Sequence, residues 1–212
     1  MSCWASPVVL RVTLRFLVLG DSLAFGTGAT APSDTLGARL TRSLEQGCAT
    51  VDLQVVAVPG ATSLDLAAQL RRAAAADVAL LVVGANDLTR QVPPARAAAA
   101  LGSAVRELRE RGTQVLVVPT PDLSSVAWVP PAFRAVVAGI CDALRSRQAL
   151  AAEAAGGLVA PVPPELTARF AADPALFSAD RFHPSSAGYA LVADALAPHL
   201  AELVAQRSDD AA

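Results

Sequence analysis

Short apolar runs recur along the chain, each followed by a longer stretch with helical periodicity. The runs are Arg15-Phe16-Leu17-Val18-Leu19-Gly20, Asp52–Val58, Val78–Val83, Val115–Val118 and, more weakly, Leu158–Val162. Taken together they show little alternation of apolar and polar residues, so they read as strands buried on both faces. Between them, Leu36, Leu40 and Leu44 recur every four residues and predict a helix over 35–47, stopped by Gly47. Ser63, with Asp65 one turn in, predicts the N-cap of a helix to about Ala75. Pro93 and Pro94 open a helix that runs to Arg111 and ends at Gly112. A further helix is expected from Phe133 to about Ala155, and a last one, capped by Ser185 or Ser186, reaching about Gln206. Strand and helix alternating some five times predicts the α/β class, with a parallel sheet of about five strands and helices on both faces.

Composition narrows the function. Apolar residues make up 53% and charged residues 17% of the 212, enough to bury a core and too few charges for a disordered chain. The net charge of −2 gives none of the basic excess that duplex binding needs, so no nucleic-acid partner is expected. Alanine supplies 47 residues and every basic residue is Arg, as a GC-rich bacterial genome would produce. No apolar run is long enough to cross a membrane. Cys3, Cys48 and Cys141 are far apart and odd in number, which argues against a disulfide scaffold or zinc ribbon, and a cytoplasmic location is expected. One domain is expected over 12–206, with a flexible extension at 1–11 and a frayed tail at 207–212.

In a doubly wound sheet, ligands bind beyond the C-terminal ends of the strands. The residues there are Asp21 and Ser22 after the first strand, Gly60 after the second, and Asn86 and Asp87 after the third; Asp180 and His183 precede the last helix. A serine hydroxyl is a poor nucleophile until a base near neutral pKa takes its proton, which requires histidine. Of the two histidines, His199 falls inside the last helix and His183 lies in the loop before it. Asp180, three residues upstream, can reach the other ring nitrogen, where a buried carboxylate would select the tautomer. The Ser22 and Gly60 N–H groups and the Asn86 amide are candidate donors to a developing oxyanion.

Gly20-Asp21-Ser22-Leu23, Gly60, Gly84-Ala85-Asn86-Asp87 and Asp180-Arg181-Phe182-His183 resemble, in order and spacing, the four signature blocks of the GDSL, or SGNH, hydrolase family. The resemblance implies a flavodoxin-like three-layer α/β/α fold. It implies Ser22 as nucleophile, His183 as base, Asp180 as its partner, and the Ser22 and Gly60 amides with Asn86 as an oxyanion hole. Asp87 fits the third block, and a supporting role in holding loops is expected for it, with Asp21 also supporting the site.

Other chemistries fit poorly. Gly26-Thr27-Gly28-Ala29-Thr30-Ala31 matches a loose dinucleotide fingerprint, but it begins six residues past Gly20 and Pro32 interrupts it. A phosphate loop needs lysine, which the chain lacks, and neither the histidines nor the cysteines are spaced as metal ligands. No cofactor and no metal are therefore expected. The expected reaction is hydrolysis of small carboxylic esters through an acyl-enzyme. Acyl transfer, thioester cleavage and a non-catalytic binding domain on the same fold are the alternatives. Short acyl groups are expected because Ala24, Ala29 and the small loops leave little evident room. The loop from Pro121 to Pro131, with Val126, Trp128 and Val129, could line an acyl pocket or simply be pinned to the body.

Overall fold

The structure, a computed structural model, describes residues 13–46, 50–124, 126–161 and 163–210. The extension at 1–11, Cys3, Cys48 and the stop at Gly47 lie outside these residues. Five strands form one parallel sheet in the order β2-β1-β3-β4-β5: β1 Thr13–Gly20, β2 Thr50–Val55, β3 Val78–Val82, β4 Gln114–Val118 and β5 Leu158–Val159. The helices are α1 Ser22–Phe25, α2 Leu36–Gln46, α3 Leu66–Leu70, α4 Ala85–Thr89, α5 Pro94–Glu110, α6 Arg134–Ala154, α7 Pro164–Ala172 and α8 Ser186–Asp210.

Alternate residues of the central strands feed two cores. Phe16, Val18, Leu80 and Val82 point to one face, where Leu36 and Leu40 of α2 and Tyr189, Leu196 and Leu200 of α8 cover them. Leu17, Leu19, Ala79 and Leu81 point to the other, beneath α3 and α5. The three-layer α/β/α arrangement follows from this two-sided burial. Among the described residues, no helix is long and apolar enough to cross a membrane.

Several boundaries differ from expectation. The second strand is assigned only to Val55, yet the Val56 and Val58 N–H groups still donate to Val18 and Gly20 of β1, so pairing continues past its formal end. The helix expected from Ser63 to Ala75 is a 3₁₀ turn over Ser63–Asp65 followed by the five-residue α3. Its cap is Thr62, whose N–H and hydroxyl both donate to Asp65, because the Ser63 hydroxyl is engaged elsewhere. Ser185 rather than Ser186 caps α8, accepting from the Gly188 N–H. The tail is helical to Asp210, and Arg207 is anchored to Asp77, which also takes a two-pronged pair from Arg15. Three helices, α1, α4 and α7, are too short for apolar periodicity to reveal. A start signal for α7 is nonetheless present in Pro164 at its first turn, with Glu165 behind it.

Two buried glutamines finish the sheet at its C-terminal edge. Gln69 of α3 accepts from the Gly20 N–H and donates to the Gly20 carbonyl, both at 2.8 Å. Gln148 of α6 accepts from Thr120 and donates to the Val83 carbonyl, joining the ends of β3 and β4. Each replaces water at backbone groups that the parallel ladder leaves open. Gln69→Leu, which keeps the bulk but strands the buried Gly20 N–H, is expected to lower unfolding free energy by about 2 kcal/mol or more in urea titrations.

Candidate active site

Parallel pairing of β1 with β3 sets Gly20 opposite Val82, so the segments leaving both strands emerge together. This is where the strand order reverses direction, and where an open α/β sheet has a crevice. Asp21 caps α1, its carboxylate accepting from the Leu23 N–H at 3.0 Å, and Ser22 is the first helical residue. The Ser22 hydroxyl lies 2.8 Å from Nε2 of His183. On the far side of the ring, Nδ1 lies 2.7 Å from Oδ2 of Asp180. An ionised carboxylate can only accept, so Nδ1 carries the proton and Nε2 is left with its lone pair toward Ser22.

Asp180 is less buried than expected: its side chain is 47% exposed. It is held instead by hydrogen bonds. Oδ1 accepts from the Phe182 and His183 N–H groups and from the Ser178 hydroxyl, at 2.8–2.9 Å, while Oδ2 takes the ring. Desolvation pushes this carboxyl upward, but the His183 ring and the other donors outweigh it and hold its pKa well below the usual range. Ser178 is a supporting residue that no sequence pattern marks. The loop is closed by Ser178 N–H donating to the His183 carbonyl. Gly28, part of the disposed dinucleotide-like motif, packs directly against it. A side chain there would meet the Pro184 carbonyl at 2.5 Å and His183 Cβ at 3.1 Å.

After β2, Val58–Ala61 makes a tight turn with Pro59 and then Gly60 at φ +83°, closed by Ala61 N–H to the Val58 carbonyl. Pro followed by a positive-φ glycine is the residue pair of a type II turn. The Asn86 amide donates to the Ala61 carbonyl at 3.0 Å, tying α4 to this turn. Asp87, fully buried, reinforces the tie by accepting from the Ser63 N–H and hydroxyl. Burial raises the Asp87 pKa, and the Ser63 bonds oppose that rise. Among the described residues, neither the Ser22 nor the Gly60 N–H has a protein acceptor. The sequence-derived residues therefore fall into two hydrogen-bonded groups: Ser22, His183 and Asp180 in one line, and Asn86 and Asp87 tied to the segment that holds Gly60.

An apolar cavity of about 130 Å³ opens beside Ser22. Leu23, Val118, Leu123, Phe170, Phe182 and Val192 are among its walls. The loop after β4 thus contributes wall residues, including Val126, while its Trp128 packs on Phe182 with ring centroids 5.6 Å apart. Phe170 brings in α7. Neither Ala24 nor Ala29 lines the cavity; both pack on the core beside α2 and α8.

The chain matches the GDSL-like lipase/acylhydrolase family over residues 18–191. It is also 35% identical to a GDSL-like esterase of Mycobacterium tuberculosis, over 97% of this chain and 67% of that protein. The chain belongs to the GDSL-like lipase/acylhydrolase family. As a member it is a carboxylic ester hydrolase. Solved structures share the fold at low identity. TesA is 22% identical with a TM-score of 0.73, covering 89% of this chain and 99% of that one. An acetylxylan esterase of Geobacillus stearothermophilus is 20% identical with a TM-score of 0.68, covering 90% and 95%.

Within this GDSL-family site, the Asp21 carboxyl is nearly fully buried. Burial pushes its carboxyl up from 3.8 to about 6, against the Leu23 and Gly84 N–H bonds. The folded state thus keeps the proton to higher pH than an unfolded chain does. The associated stability is complete below the unfolded value and is lost as pH rises through about 6. Asp21→Asn is expected to be more stable than wild type above pH 6, by up to about 3 kcal/mol, with the difference closing toward pH 4. Urea denaturation of both proteins between pH 4 and 8 measures this.

Proposed function

We propose that Ser22 is the nucleophile of this ester hydrolase, with His183 as its general base and Asp180 as the orienting carboxylate. The carrying observation is the hydrogen-bonded line from Asp180 through His183 to Ser22, at 2.7 and 2.8 Å. Ser22 Oγ attacks the ester carbonyl carbon as its proton passes to His183 Nε2. The imidazolium so formed is stabilised by Asp180. The carbonyl oxygen becomes an oxyanion that accepts from the Ser22 and Gly60 N–H groups and from the Asn86 amide. Collapse breaks the bond to the alcohol oxygen, which leaves with the proton from His183. Water then enters by the same base, releases the carboxylic acid and restores Ser22.

The acyl group is assigned to the cavity beside Ser22. Its volume of about 130 Å³ is close to the ~150 Å³ of an engineered cavity known to hold benzene. Room for about four to six carbons follows, which favours a short acyl chain for a reason unconnected with Ala24 or Ala29.

Ser22→Ala and His183→Ala are each expected to lower kcat on p-nitrophenyl butyrate by about 10⁵–10⁶. Asn86→Ala should lower it by about 10²–10³. Full wild-type activity in purified Ser22→Ala would rule the assignment out. Across a p-nitrophenyl ester series, kcat/KM should peak at about four to six acyl carbons and fall toward both acetyl and dodecanoyl.

A further inference from the structure

A second cavity, of about 290 Å³, lies against the Gly60 turn. Gly60, Ala61, Asp65, Gln69, Arg72 and Arg90 are among its walls. It shares no lining residue with the acyl cavity, so the two are separate spaces. Three segments build it: the turn after β2, α3 with the residues just beyond it, and the end of α4. Arg72 stands two residues past α3, and Arg90 is the residue on which α4 ends.

Most polar groups around this cavity already have partners, and the guanidinium groups do not. Gln69 is committed to the Gly20 backbone, and Asp65 accepts from the Thr62 N–H and hydroxyl. Arg15, Arg39, Arg111 and Arg207 each meet a carboxylate elsewhere in the chain. Among the described residues, neither the Arg72 nor the Arg90 side chain has a hydrogen-bond or ion-pair partner. Asp65 is the one acid among the walls, so two arginines leave a surplus of one positive charge. Arg90 is also close to the reacting centre proposed above. Its Nη2 lies 3.2 Å from where a Cβ on Gly60 would stand. A Cβ sits ~2.5 Å from its own backbone nitrogen, which puts this guanidinium nitrogen within about 6 Å of the Gly60 N–H.

We propose that Arg72 and Arg90 form a subsite for a carboxylate carried on the alcohol portion of the ester. The proposal rests on the functional reading above, which seats the acyl chain in the first cavity and the carbonyl oxygen at the Gly60 N–H. The alcohol portion is then the end of the ester left to reach the second cavity. A guanidinium grips a carboxylate through two parallel N–H donors and offers no such pairing to a neutral group. One surplus positive charge suits a monoanion. A volume of about 290 Å³ exceeds the ~150 Å³ that holds benzene, so a carboxylated ring fits. Hydrolysis of such a substrate releases the acyl acid and a hydroxy acid.

Two butyrate esters that differ in charge test this: 4-carboxyphenyl butyrate and its neutral amide, 4-carbamoylphenyl butyrate. The quantity read is the ratio of their kcat/KM values, compared between wild type and variants so that intrinsic reactivity cancels. Arg90→Gln and Arg72→Gln should each lower that ratio about fivefold, through KM, and the effect should shrink at high salt. Arg90→Lys should retain part of the ratio, since it keeps the charge and loses the fork. Both arginines are exposed, so the variants are expected to fold. A second measurement needs no turnover. By calorimetry, the Ser22→Ala protein should bind 4-hydroxybenzoate more tightly than 4-hydroxybenzamide, and adding Arg90→Gln should remove the difference. The proposal is overturned if neither glutamine variant changes the ratio, or if the Ser22→Ala protein binds both phenols equally. It is also overturned if Arg90→Gln lowers kcat equally on both esters, because the arginine then acts on the oxyanion and not on a carboxylate. A Ser22→Ala protein that prefers the acid in calorimetry yet hydrolyses both esters at the wild-type rate would instead strike the catalytic assignment alone.

Discussion

Side-by-side pairing of β1 and β3 determines what can meet in this protein. In a parallel pair, both strands end at the same edge, and the register of Gly20 with Val82 leaves their following residues level. Ser22 begins α1 from one strand and Asn86 sits in α4 after the other. The turn holding Gly60 is carried to the same edge by β2, whose ladder bonds to β1 persist to Val58. The His183 loop reaches that edge from the start of α8, which lies across the opposite face of β1, β3 and β4. Moving any one of these pairings by a residue would shift which residues leave the sheet together at this edge.

The polar residues at the site divide by how they are held. Asp21 and Asp87 are buried and pushed toward the protonated form, so they are costly to keep charged. Asp180 is half in solvent, yet its carboxylate is the one most strongly kept ionised, because four donors surround it. A partly solvated carboxylate saturated with hydrogen bonds can fix the histidine tautomer without the desolvation that a fully buried one would suffer. Hydrogen bonding, not burial, is thus what keeps Asp180 ionised.

Where a segment is long enough to show its period, residue order alone foretells it well. Alternation of valine- and leucine-rich runs with the α2, α5, α6 and α8 segments anticipates the parallel sheet and its two covered faces. The residues at the strand ends anticipate which side chains gather at one edge. What stays hidden is what depends on tertiary partners. Ser63 looks like a cap, but its hydroxyl goes to Asp87, twenty-four residues on. Gln69 and Gln148 look like ordinary helix-surface amides and prove to be buried bridges. Helices of four to nine residues, α7 among them, have too few turns to declare a buried face, so the Phe170 wall of the cavity is invisible until the chain is folded.

Those two bridging glutamines have an electrostatic consequence. They satisfy the open backbone groups at the ends of β1, β3 and β4 with side-chain amides that are themselves buried. Dipoles paired in a buried environment act through a lower dielectric than dipoles standing in water. The peptide groups at these strand ends are therefore held in fixed orientations by protein partners. Two helix side chains, one from α3 and one from α6, in this way fix the electrostatic setting of the strand ends from which Ser22 and Asn86 follow.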